Sequence, residues 1–426
     1  MENTKYFIVA SPLFDKKINS KAYYLQVQNS ERLFDAGSDF QGLGDAMNAP
    51  HLELLSALGT EPFASDLPLL VEHNEYQLLA GLPATLGFSP EHIIVVIGKE
   101  VPISGAVFMK CMDLKDKGYK LAANGILPGV SPDLFFELFN YLILDYEAND
   151  FKRDFGAMRP HIFKIKFIIN NIPDMDAFNT LTHLHEARYS GKFYSSPVDK
   201  DAGDIAPLKI NALHLLSQIN QEDFEITEAA AIIERDPALS ISLLKFINRA
   251  GGFRGVKKVE NIRQAVVIMG QREIRRWAAV AITTQLAEDR PSEITRLSLI
   301  RAKFAENLAY AYELGTFAPL LFIAGLFSLL DVILEKPMEE AINEVAVDPR
   351  VHRALVEQKG EMYEVLDLVY NYEKCNWIEC VTNLYRNKVT NSEAIKAFMD
   401  ALIWYREMLE TIDEDDVETE HTAAGA

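Results

Sequence analysis

The stretch from Phe317 to Leu334, FAPLLFIAGLFSLLDVIL, constrains the fold of this chain more than any other segment. It is almost wholly apolar, and it contains one acid, Asp331, and no histidine. A helix that is apolar on all sides either spans a membrane or forms the buried centre of a helical domain. Because Pro319 and Asp331 lie near its two ends, we expect the buried centre of a helical domain rather than a membrane span.

The same stretch resembles the central helix of HD-type phosphohydrolases, where an AGLLHDIG-like run supplies an adjacent His-Asp pair that binds metal. Here Ser328 and Leu329 occupy the two matching positions, and neither side chain ligates a divalent ion well. No histidine occurs between His214 and His352, so a histidine-rich site for two metals cannot be built in this region. The resemblance implies the helix of that family without its metal chemistry.

Further blocks extend the resemblance along the second half of the chain. DPALSISLLKFINRAGG begins at Asp236, and IRQAVVIMGQREIRRW begins at Ile262. Together they resemble the HDOD domain, the non-catalytic relative of HD phosphohydrolases. With the later NWIEC and ALIWYREM blocks, the sequence from Ile205 to Leu409 resembles the HDOD half of EAL–HDOD signalling proteins.

The helical character of this half is also visible in local patterns. Asp236 can cap free helix amides and Pro237 suits the first helical position, so a helix is predicted to begin there. Its apolar residues fall on one face, and they are Leu239, Leu243, Phe246 and Ile247. The GGFRG run from Gly251 to Gly255 should end that helix.

The charge of the chain limits its partners. With 426 residues it is long enough for two or three domains. It carries 62 acids against 42 bases, a formal net charge of -20. Such a surface repels nucleic acid and anionic membranes unless a local basic patch intervenes. We therefore expect neither nucleic-acid binding nor stable membrane insertion.

The cysteines and the N-terminus indicate a reducing compartment. Cys111, Cys375 and Cys380 do not make a disulfide framework, and the spacing of the last two is not that of a zinc motif. We expect buried or neutral thiols, with no metal and no cofactor. The opening MENTKYFIVASP lacks the apolar run of a signal peptide, which predicts a cytoplasmic protein.

The first half alternates strand-like and helix-like runs, which predicts a parallel sheet with helices outside it and permits a barrel. The predicted strands are YFIVA, AYYLQV, HIIVVIG, YKLAAN, YLILDY, HIFKIKFII and KFYSS. The predicted helices are ISGAVFMKCMDLKDKG, which ends at Gly118, then PDLFFELFN and PDMDAFNTLTHLHEARYSG.

From Lys5 to Val198 this pattern resembles the EAL domain, the barrel that hydrolyses cyclic di-GMP. SPLFDKKINSKAYYLQVQN is similar to the entry strands of the family, and GYKLAANGI and YLILDY are similar to two later strands. The signature glutamate of the family corresponds to Tyr24, and the arginine four residues later corresponds to Gln28. The glutamine before the first proline corresponds to Ser11, and a metal-binding asparagine corresponds to Glu72.

The later positions also depart from the family. Its next glutamate corresponds to Val96, and its adjacent aspartates correspond to Asn124 and Gly125. Its catalytic lysine corresponds to Ile143, and only Asp145 of that Lys-x-Asp motif is retained. Clustered carboxylates are needed to hold two hard cations against a phosphodiester. The resemblance therefore implies the EAL scaffold with buried barrel residues in place of its metal ligands. The changes at the earlier glutamine and arginine positions also argue against tight cyclic di-GMP binding.

We predict a multidomain α/β and all-α protein, in which a degenerate EAL-type, TIM-like βα barrel precedes an all-α HDOD domain. The barrel is assigned to residues 1–198 and the HDOD domain to 209–410. SSPVDKDAGDIAP replaces periodic apolar residues with Pro, Gly and Asp, so residues 199–208 are assigned as a linker. The closing DEDDVETEHTAAGA predicts a disordered acidic tail over residues 411–426.

The densest basic region lies in the second half and is a candidate surface for an acidic protein partner. A solvated face with arginines paired to nearby glutamates is the alternative. The region comprises Arg249, Arg254, Lys257, Lys258, Arg263, Arg272, Arg275 and Arg276.

Two further groups favour a structural interpretation. His183 and His185 lie two residues apart on a predicted helix, so they point to different faces and should not share a metal. Helical spacing favours core packing over a pocket for five aromatic residues, Tyr310, Tyr312, Trp377, Tyr385 and Trp404.

Three functional hypotheses follow. The first, implied by the EAL–HDOD resemblance, is a catalytically inactive signalling adaptor that binds one or more regulatory proteins in cyclic di-GMP-linked control of motility or surface attachment. The second is a residual cyclic di-GMP phosphodiesterase or receptor. The third, an HD-type phosphohydrolase, is disfavoured by the absent histidines. Homo-oligomerisation is left open.

Overall fold

The computed structural model describes residues 6–30, 50–127, 129–196, 207–220, 225–248, 259 and 261–423. Side chains of the last helix are described as far as Met408. The chain forms two compact units. The first comprises residues up to Ser196 together with Tyr372–Val381, and the second comprises Pro197–Asn371 and the residues from Thr382 onward.

The first unit contains a closed barrel of eight strands. In chain order these are β1 (Tyr6–Phe14), β2 (Ser20–Asn29), β3 (Leu69–His73), β4 (Ile93–Ile97), β5 (Lys120–Asn124), β6 (Tyr141–Asp145), β7 (Lys166–Ile172) and β8 (Arg188–Gly191). β1 is antiparallel to both of its neighbours, β2 and β8. The other neighbouring strands are parallel, which confirms the predicted barrel.

Helices connect these strands. They are α1 (Pro50–Leu58), α2 (Glu61–Ala64), α3 (Glu75–Leu79), α4 (Gly105–Asp116), α5 (Pro132–Leu138), α6 (Phe151–Met158) and α7 (Met175–Leu181). α4 follows its prediction closely, because Ser104 Oγ accepts from Val107 N–H at the start and Gly118 has a φ of +92° just after the end. Every residue of β4 is buried, as expected for a strand covered on both faces.

The last strand was predicted wrongly. ARYSG was assigned to a helix and KFYSS to a strand, but α7 ends at Leu181 and β8 is Arg188–Gly191. The buried Tyr189 hydroxyl donates to Leu181 O at 2.8 Å. Gly191 has a φ of +148°, and a Cβ there would lie 2.1 Å from Ile172 O. Tertiary packing against β7 therefore selects a strand that local sequence does not reveal.

The segment Tyr372–Val381 packs within the first unit. The Trp377 ring stacks on Phe7 of β1 with centroids 5.2 Å apart and planes 2° from parallel. Tyr372 meets the same Phe7 ring edge-on at 5.5 Å. Phe7 and Tyr372 are both fully buried.

The second half of the chain is helical, as predicted. The helices begin with α8 (Pro207–Asn220), α9 (Ile226–Ile233), α10 (Pro237–Asn248), α11 (Ile262–Leu286), α12 (Ser292–Ala311), α13 (Ala318–Leu326) and α14 (Leu330–Leu334). They continue with α15 (Met338–Asn343), α16 (Pro349–His352), α17 (Glu361–Glu373), α18 (Trp377–Arg386) and α19 (Asn391–Ala423). α11 is kinked at Gly270, where φ is +73°.

The predicted start of α10 is confirmed. Asp236 Oδ1 accepts from Ala238 N–H at 2.9 Å and from Leu239 N–H at 3.1 Å. Three residues of the predicted apolar face are buried, Leu239, Leu243 and Ile247, and Phe246 is half-buried. The GGFRG run lies outside the described residues, as does most of the linker assigned to residues 199–208.

The long apolar stretch forms the buried centre of the helical unit. Gly315–Leu334 is long and apolar enough to cross a membrane, but 78% of its most apolar window is buried inside the protein. It is also divided, because a 3₁₀ turn at Phe327–Leu329 separates α13 from α14. Gly325 lets α13 approach α12 closely, since a Cβ there would lie 2.5 Å from Arg301 O.

The acidic C-terminus differs from its prediction. Disorder was expected over residues 411–426, but α19 continues as a helix to Ala423. Extending an existing helix requires no new nucleus, and glutamate has a high helix propensity. These two effects account for a helix that bears few apolar side chains.

Candidate functional site

The positions assigned through the EAL resemblance lie on successive barrel strands. Tyr24 is on β2, Glu72 on β3 and Val96 on β4, and Glu72 and Val96 are direct strand partners. Asn124 at the end of β5 pairs with Ile143 on β6. Because active sites of such barrels lie at the carboxyl ends of the strands, this is the face where chemistry is expected.

A three-residue hydrogen-bonded cluster is the main polar feature of this face. Tyr24 Oη donates to Glu72 Oε2 at 3.0 Å, and Asn124 Nδ2 donates to the same oxygen at 3.2 Å. Burial raises the pKa of Tyr24 well above its usual value, and the Glu72 carboxylate raises it further. Tyr24 is therefore a neutral donor to Glu72, in a position where the family has a glutamate.

Val96 and Ile143 belong to an apolar layer inside the barrel. Val96 is fully buried, and 2% of Ile143 is exposed. The layer comprises Leu13, Ala22, Tyr24, Leu70, Ile94, Val96, Ala122, Ile143 and Ile168. Where the resemblance places a carboxylate and a lysine, the barrel is thus filled with packed hydrocarbon.

Asp145, the retained acid, has partners of its own. Its Oδ2 accepts from Asn171 Nδ2 at 3.0 Å, and its Oδ1 accepts from the Glu147 backbone amide at 3.0 Å. It stabilises the turn after β6. Nearby, Asn170 Oδ1 is buried without a hydrogen-bond partner among the described residues.

Gly125 allows a lysine to cross the face, which the sequence did not predict. Its φ is +85°, and a Cβ at Gly125 would lie 2.5 Å from Lys99 Cε. Lys99 therefore lies over the position assigned to an aspartate. Lys99 follows β4 in the loop sequence GKE and resembles an ordinary surface lysine.

The two positions connected with ligand binding lie on β1 and β2, and one of them is beside the cluster. Ser11 on β1 is the strand partner of Tyr24 and is half-buried. Gln28 lies four residues beyond Tyr24 on β2, and its Nε2 donates to the neighbouring Asn29 carbonyl at 3.3 Å.

The residues present do not fit a two-metal centre. Within the described ranges, no group of three or more His, Cys, Asp or Glu side chains could hold a metal ion. Glu72 Oε2 already accepts two hydrogen bonds, and Asp145 is occupied by its turn. A pair of hard cations requires several shared oxygen ligands, and this face supplies too few.

The HD-like position in the helical unit contains a buried arginine. Ser328 Oγ donates to Gly325 O at 2.6 Å and accepts from Arg301 Nη1 at 3.1 Å. The Arg301 guanidinium lies 5.0 Å from the centroid of the Tyr370 ring. Leu329 is buried, as are Ser328 and Arg301.

Asp331 lies in the same polar region. Burial raises the pKa of its carboxyl, and the positive charge of Arg301 opposes that rise. Its Oδ1 is buried without a hydrogen-bond partner in the described part of the chain. A guanidinium therefore provides the positive charge at the position where the family binds metal.

The basic region of the second half is only partly described. Arg249, Arg254, Lys257 and Lys258 lie outside the described residues. Of the others, Arg263 Nε lies 3.3 Å from Glu234 Oε1, and Arg272 Nε lies 4.0 Å from Glu273 Oε1; both arginines have largely exposed side chains.

Arg275 and Arg276 have structural contacts instead. Arg275 Nε donates to Ile219 O at 3.0 Å. Arg276 Nη1 donates to Glu306 Oε1 at 2.9 Å, and its guanidinium lies 4.3 Å from the Phe322 ring centroid. Both residues bind neighbouring helices of their own unit, so they add little to a docking surface.

His183, His185 and the three cysteines belong to no group of three or more possible metal ligands within the described residues. His183 and His185 are exposed and lie in turns after α7, rather than on the predicted helix. Cys111 and Cys380 are buried free thiols, and Cys375 is half-buried. Burial raises the pKa of the Cys111 thiol to about 11, which keeps it protonated and unreactive.

The predicted aromatic core is correct only in part. Trp404 packs edge-on against Phe322, and the Tyr312 hydroxyl donates to Asn383 Oδ1 at 2.6 Å. Tyr310 and Tyr385, by contrast, are 69% and 87% exposed. Their helices turn these positions outward, which helical spacing alone does not determine.

Comparison with known proteins identifies the second half. Residues 205–361 match the HDOD domain family. The second half of this chain contains an HDOD domain. The match covers the predicted apolar stretch and the position of Ser328, and the closed barrel precedes it.

Two curated relatives align along most of this chain. YuxH of Bacillus subtilis (strain 168) is 27% identical over 417 residues, which is 95% of this chain and 99% of that protein. The cyclic di-GMP phosphodiesterase CdgJ of Vibrio cholerae serotype O1 is 24% identical over 381 residues, 88% of this chain and 87% of that protein. An EAL domain protein of Listeria monocytogenes EGD-e, known from its crystal structure, is 13% identical with a TM-score of 0.33, over 46% of this chain and 89% of that chain.

Proposed function

We propose that this EAL–HDOD protein is a catalytically inactive signal-transduction adaptor in the bacterial cytoplasm. It acts through protein–protein interaction in cyclic di-GMP-linked regulation, such as control of motility or surface attachment. The observation that carries the proposal is the apolar layer inside the barrel, where Val96 and Ile143 replace a carboxylate and a lysine.

Phosphodiester hydrolysis in the EAL family depends on two cations that activate a water molecule. Tyr24 is a neutral phenol, and Val96 offers no ligand atom. The one carboxylate of the cluster, Glu72, already accepts hydrogen bonds from Tyr24 and Asn124. Without the ligands or the lysine, the barrel lacks the charges that would stabilise the transition state.

A residual phosphodiesterase or a receptor is the second candidate. It is favoured by the relative CdgJ, whose name states that activity, and by the carboxylates Glu72 and Asp145 at the carboxyl end of the barrel. An HD-type phosphohydrolase is disfavoured, because Ser328 and Leu329 supply no metal ligands beside Arg301.

Calorimetry and product analysis separate the first two candidates. The purified chain is titrated with cyclic di-GMP in the presence of Mg²⁺ or Mn²⁺, and hydrolysis is followed by chromatography. The adaptor proposal predicts no turnover and no binding at micromolar concentration. Glu72→Gln is the control variant, because turnover by a contaminating enzyme persists in it whereas turnover that uses Glu72 is lost. Turnover that depends on Glu72 would overturn the proposal.

The basic region of the HDOD half is our proposed partner contact. Its described and exposed members, Arg263 and Arg272, have weak ion pairs that a partner could replace. Charge reversal at both positions should reduce partner co-purification from the native cell without lowering the melting temperature. Unchanged co-purification by a normally folded double variant would exclude these two residues from the contact.

A further inference from the structure

The amino end of the barrel has an aromatic and basic surface that the catalytic resemblance does not involve. We define the amino-end surface as Phe136, His161, Phe163, Lys164, Lys166 and His185. These residues lie just before β6, β7 and β8 or at the first residue of β7, so they are at the opposite end of the barrel from Tyr24 and Glu72.

Side-chain contacts form two groups on this surface, and the turn from His161 to Lys164 connects them. The Phe136 and His161 ring centroids are 4.8 Å apart, and Lys164 Nζ lies 5.3 Å from the Phe136 centroid. Phe163 and His185 have ring centroids 5.8 Å apart. Lys164 N–H also donates to His161 O at 2.8 Å, which fixes the turn that presents Phe163.

Phe163 is the most unusual member of this surface. It is 83% exposed, although phenylalanine is among the residue types most often buried. Its neighbours Ile165 and Phe167 are buried, so the local chain is well packed and Phe163 alone is turned outward. An exposed aromatic ring on a firmly held turn is typical of a binding anchor.

The charge around Phe163 is opposite to that of the whole chain. Residues 159–167 and 183–188, which precede or begin β7 and β8, contain four lysines and arginines, Arg159, Lys164, Lys166 and Arg188, and one acid, Glu186. Glu137, next to Phe136, is a second acid at this end. Glu186 is paired with Lys166, with 2.5 Å between Oε2 and Nζ, and this pairing lowers the pKa of Glu186. The formal net charge of the chain is -20, so this local excess of positive charge would direct an acidic partner to this end.

We propose that the amino-end surface binds an acidic peptide segment of a partner protein that carries an aromatic or large apolar residue. The apolar residue packs against Phe163 and His185, and its acidic neighbours pair with Lys164 and Arg159. The inference rests on the proposed adaptor function, since it names a class of partner and a second contact, on the barrel unit, in addition to the basic region of the HDOD half.

Nucleic acid fits this surface less well than an acidic peptide. Single-stranded nucleic acid needs several stacking rings along a positive groove, and on this surface only the Phe163 and His185 rings are largely exposed. The negative field of the whole chain opposes a polyanion more strongly than it opposes a short peptide.

Fluorescence anisotropy tests the proposal with three labelled probes of equal length. One is a Glu/Asp peptide with a central Phe, the second has Ala in place of that Phe, and the third is an oligo-dT. The proposal predicts that the Phe peptide binds most tightly. Phe163→Ala and Lys164→Glu should each weaken its binding about tenfold or more, because each removes a contact at the centre of the surface.

Two exposed residues elsewhere on the barrel unit provide matched controls. Met109→Ala removes an apolar side chain that is 66% exposed on α4, and Lys152→Glu reverses an exposed charge at the start of α6. Both variants should bind the Phe peptide as the wild type does. Melting curves of all four variants establish that they are folded.

The proposal would be overturned by any of three results. These are no binding of the Phe peptide at millimolar concentration, equal loss in the control variants, or preferential binding of oligo-dT. Sedimentation at several protein concentrations tests whether a second copy of this chain binds the surface instead. Self-association that Phe163→Ala abolishes would show that the partner is a second copy and not a peptide. The cyclic di-GMP titration does not use these probes. It can therefore contradict the adaptor proposal without contradicting the peptide-binding proposal, and the peptide experiment can do the reverse.

Discussion

Tyr24 Oη donates a hydrogen bond of 3.0 Å to Glu72 Oε2, across two neighbouring barrel strands and 48 positions of sequence. A phenol thus contacts the carboxylate in a place where the EAL resemblance calls for a metal ligand. The bond replaces a charge–metal interaction with a neutral donor–acceptor pair.

Tyr24→Phe should reduce the free energy of unfolding by about 0.5 to 1.5 kcal/mol, the usual range for one hydrogen bond. The folded-state pKa of Tyr24 lies above its ordinary value of 10.0, so its stabilisation is fully present below pH 10 and is lost as the pH rises through the folded pKa. Urea unfolding of both proteins at pH 8 and pH 10.5 measures this effect. The unfolding free energy should fall less between these two pH values in Tyr24→Phe than in the wild type. An equal loss in both proteins would contradict the assignment.

His73 should make the barrel unit sensitive to acid. It is fully buried, its Nδ1 lies 2.8 Å from Val71 O, and burial lowers its pKa from 6.5 to about 3. Because the folded pKa is depressed, the stabilisation is present above pH 6.5 and is lost as the pH falls towards about 3. When the pH is lowered from 7 to 5, the unfolding free energy of the wild type should fall by about 2 kcal/mol more than that of His73→Gln.

The exposed His92 supplies the control for that experiment. His92→Gln should keep the wild-type dependence of stability on pH. Urea unfolding at both pH values measures all three proteins. A wild-type pH profile in His73→Gln would show that another group is responsible.

Gly191 and Gly156 form a matched pair of glycine positions. Gly191→Ala should destabilise the protein by about 2 kcal/mol or more, because its φ of +148° and the nearby Ile172 backbone both oppose a Cβ. Gly156→Ala, inside α6 with open space around it, should stabilise by about 0.5 to 1 kcal/mol. Chemical denaturation measures both, and a change of the same sign in the two variants would be inconsistent with this packing.

Trp377 should contribute to the stability of the barrel unit. Trp377→Ala removes the ring stacked on Phe7, and we expect a loss of about 2 to 4 kcal/mol. Tyr385→Ala, in the same helix but 87% exposed, should change stability by less than about 0.5 kcal/mol. Because Trp377→Ala removes a fluorophore, denaturation should be followed by far-ultraviolet circular dichroism and not by tryptophan fluorescence.

The elements with strong local patterns were predictable from the sequence. β4 is a continuous apolar run, and the α10 start has both its capping acid and its proline. β8 was not predictable, because only its pairing with β7 distinguishes four residues of strand from a helix end. Local sequence preference determines whether a segment is a helix or a strand when its signal is strong, and tertiary contacts determine it when the signal is weak.

The candidate site was predictable only to the level of strand positions. The positions of Tyr24, Glu72 and Asn124 on adjacent strands follow from the resemblance, but their shared hydrogen-bonded oxygen requires the closed barrel. Lys99 and Arg301 were missed, since a lone basic residue in a loop or a helix normally lies in solvent. Phe163 was predicted as part of a strand, and its exposure depends on where β7 begins.

The buried Arg301 beside Ser328 would oppose a metal ion at the HD-like position. Ser328→His with Leu329→Asp would return the missing ligand types, but the new carboxylate would lie near a guanidinium already bonded at position 328. A fixed positive charge competes with an incoming cation for the same ligands. Introducing a metal site at this position would therefore need a third, coordinated change at Arg301, and each intermediate sequence would contain a poorly matched charge in the core.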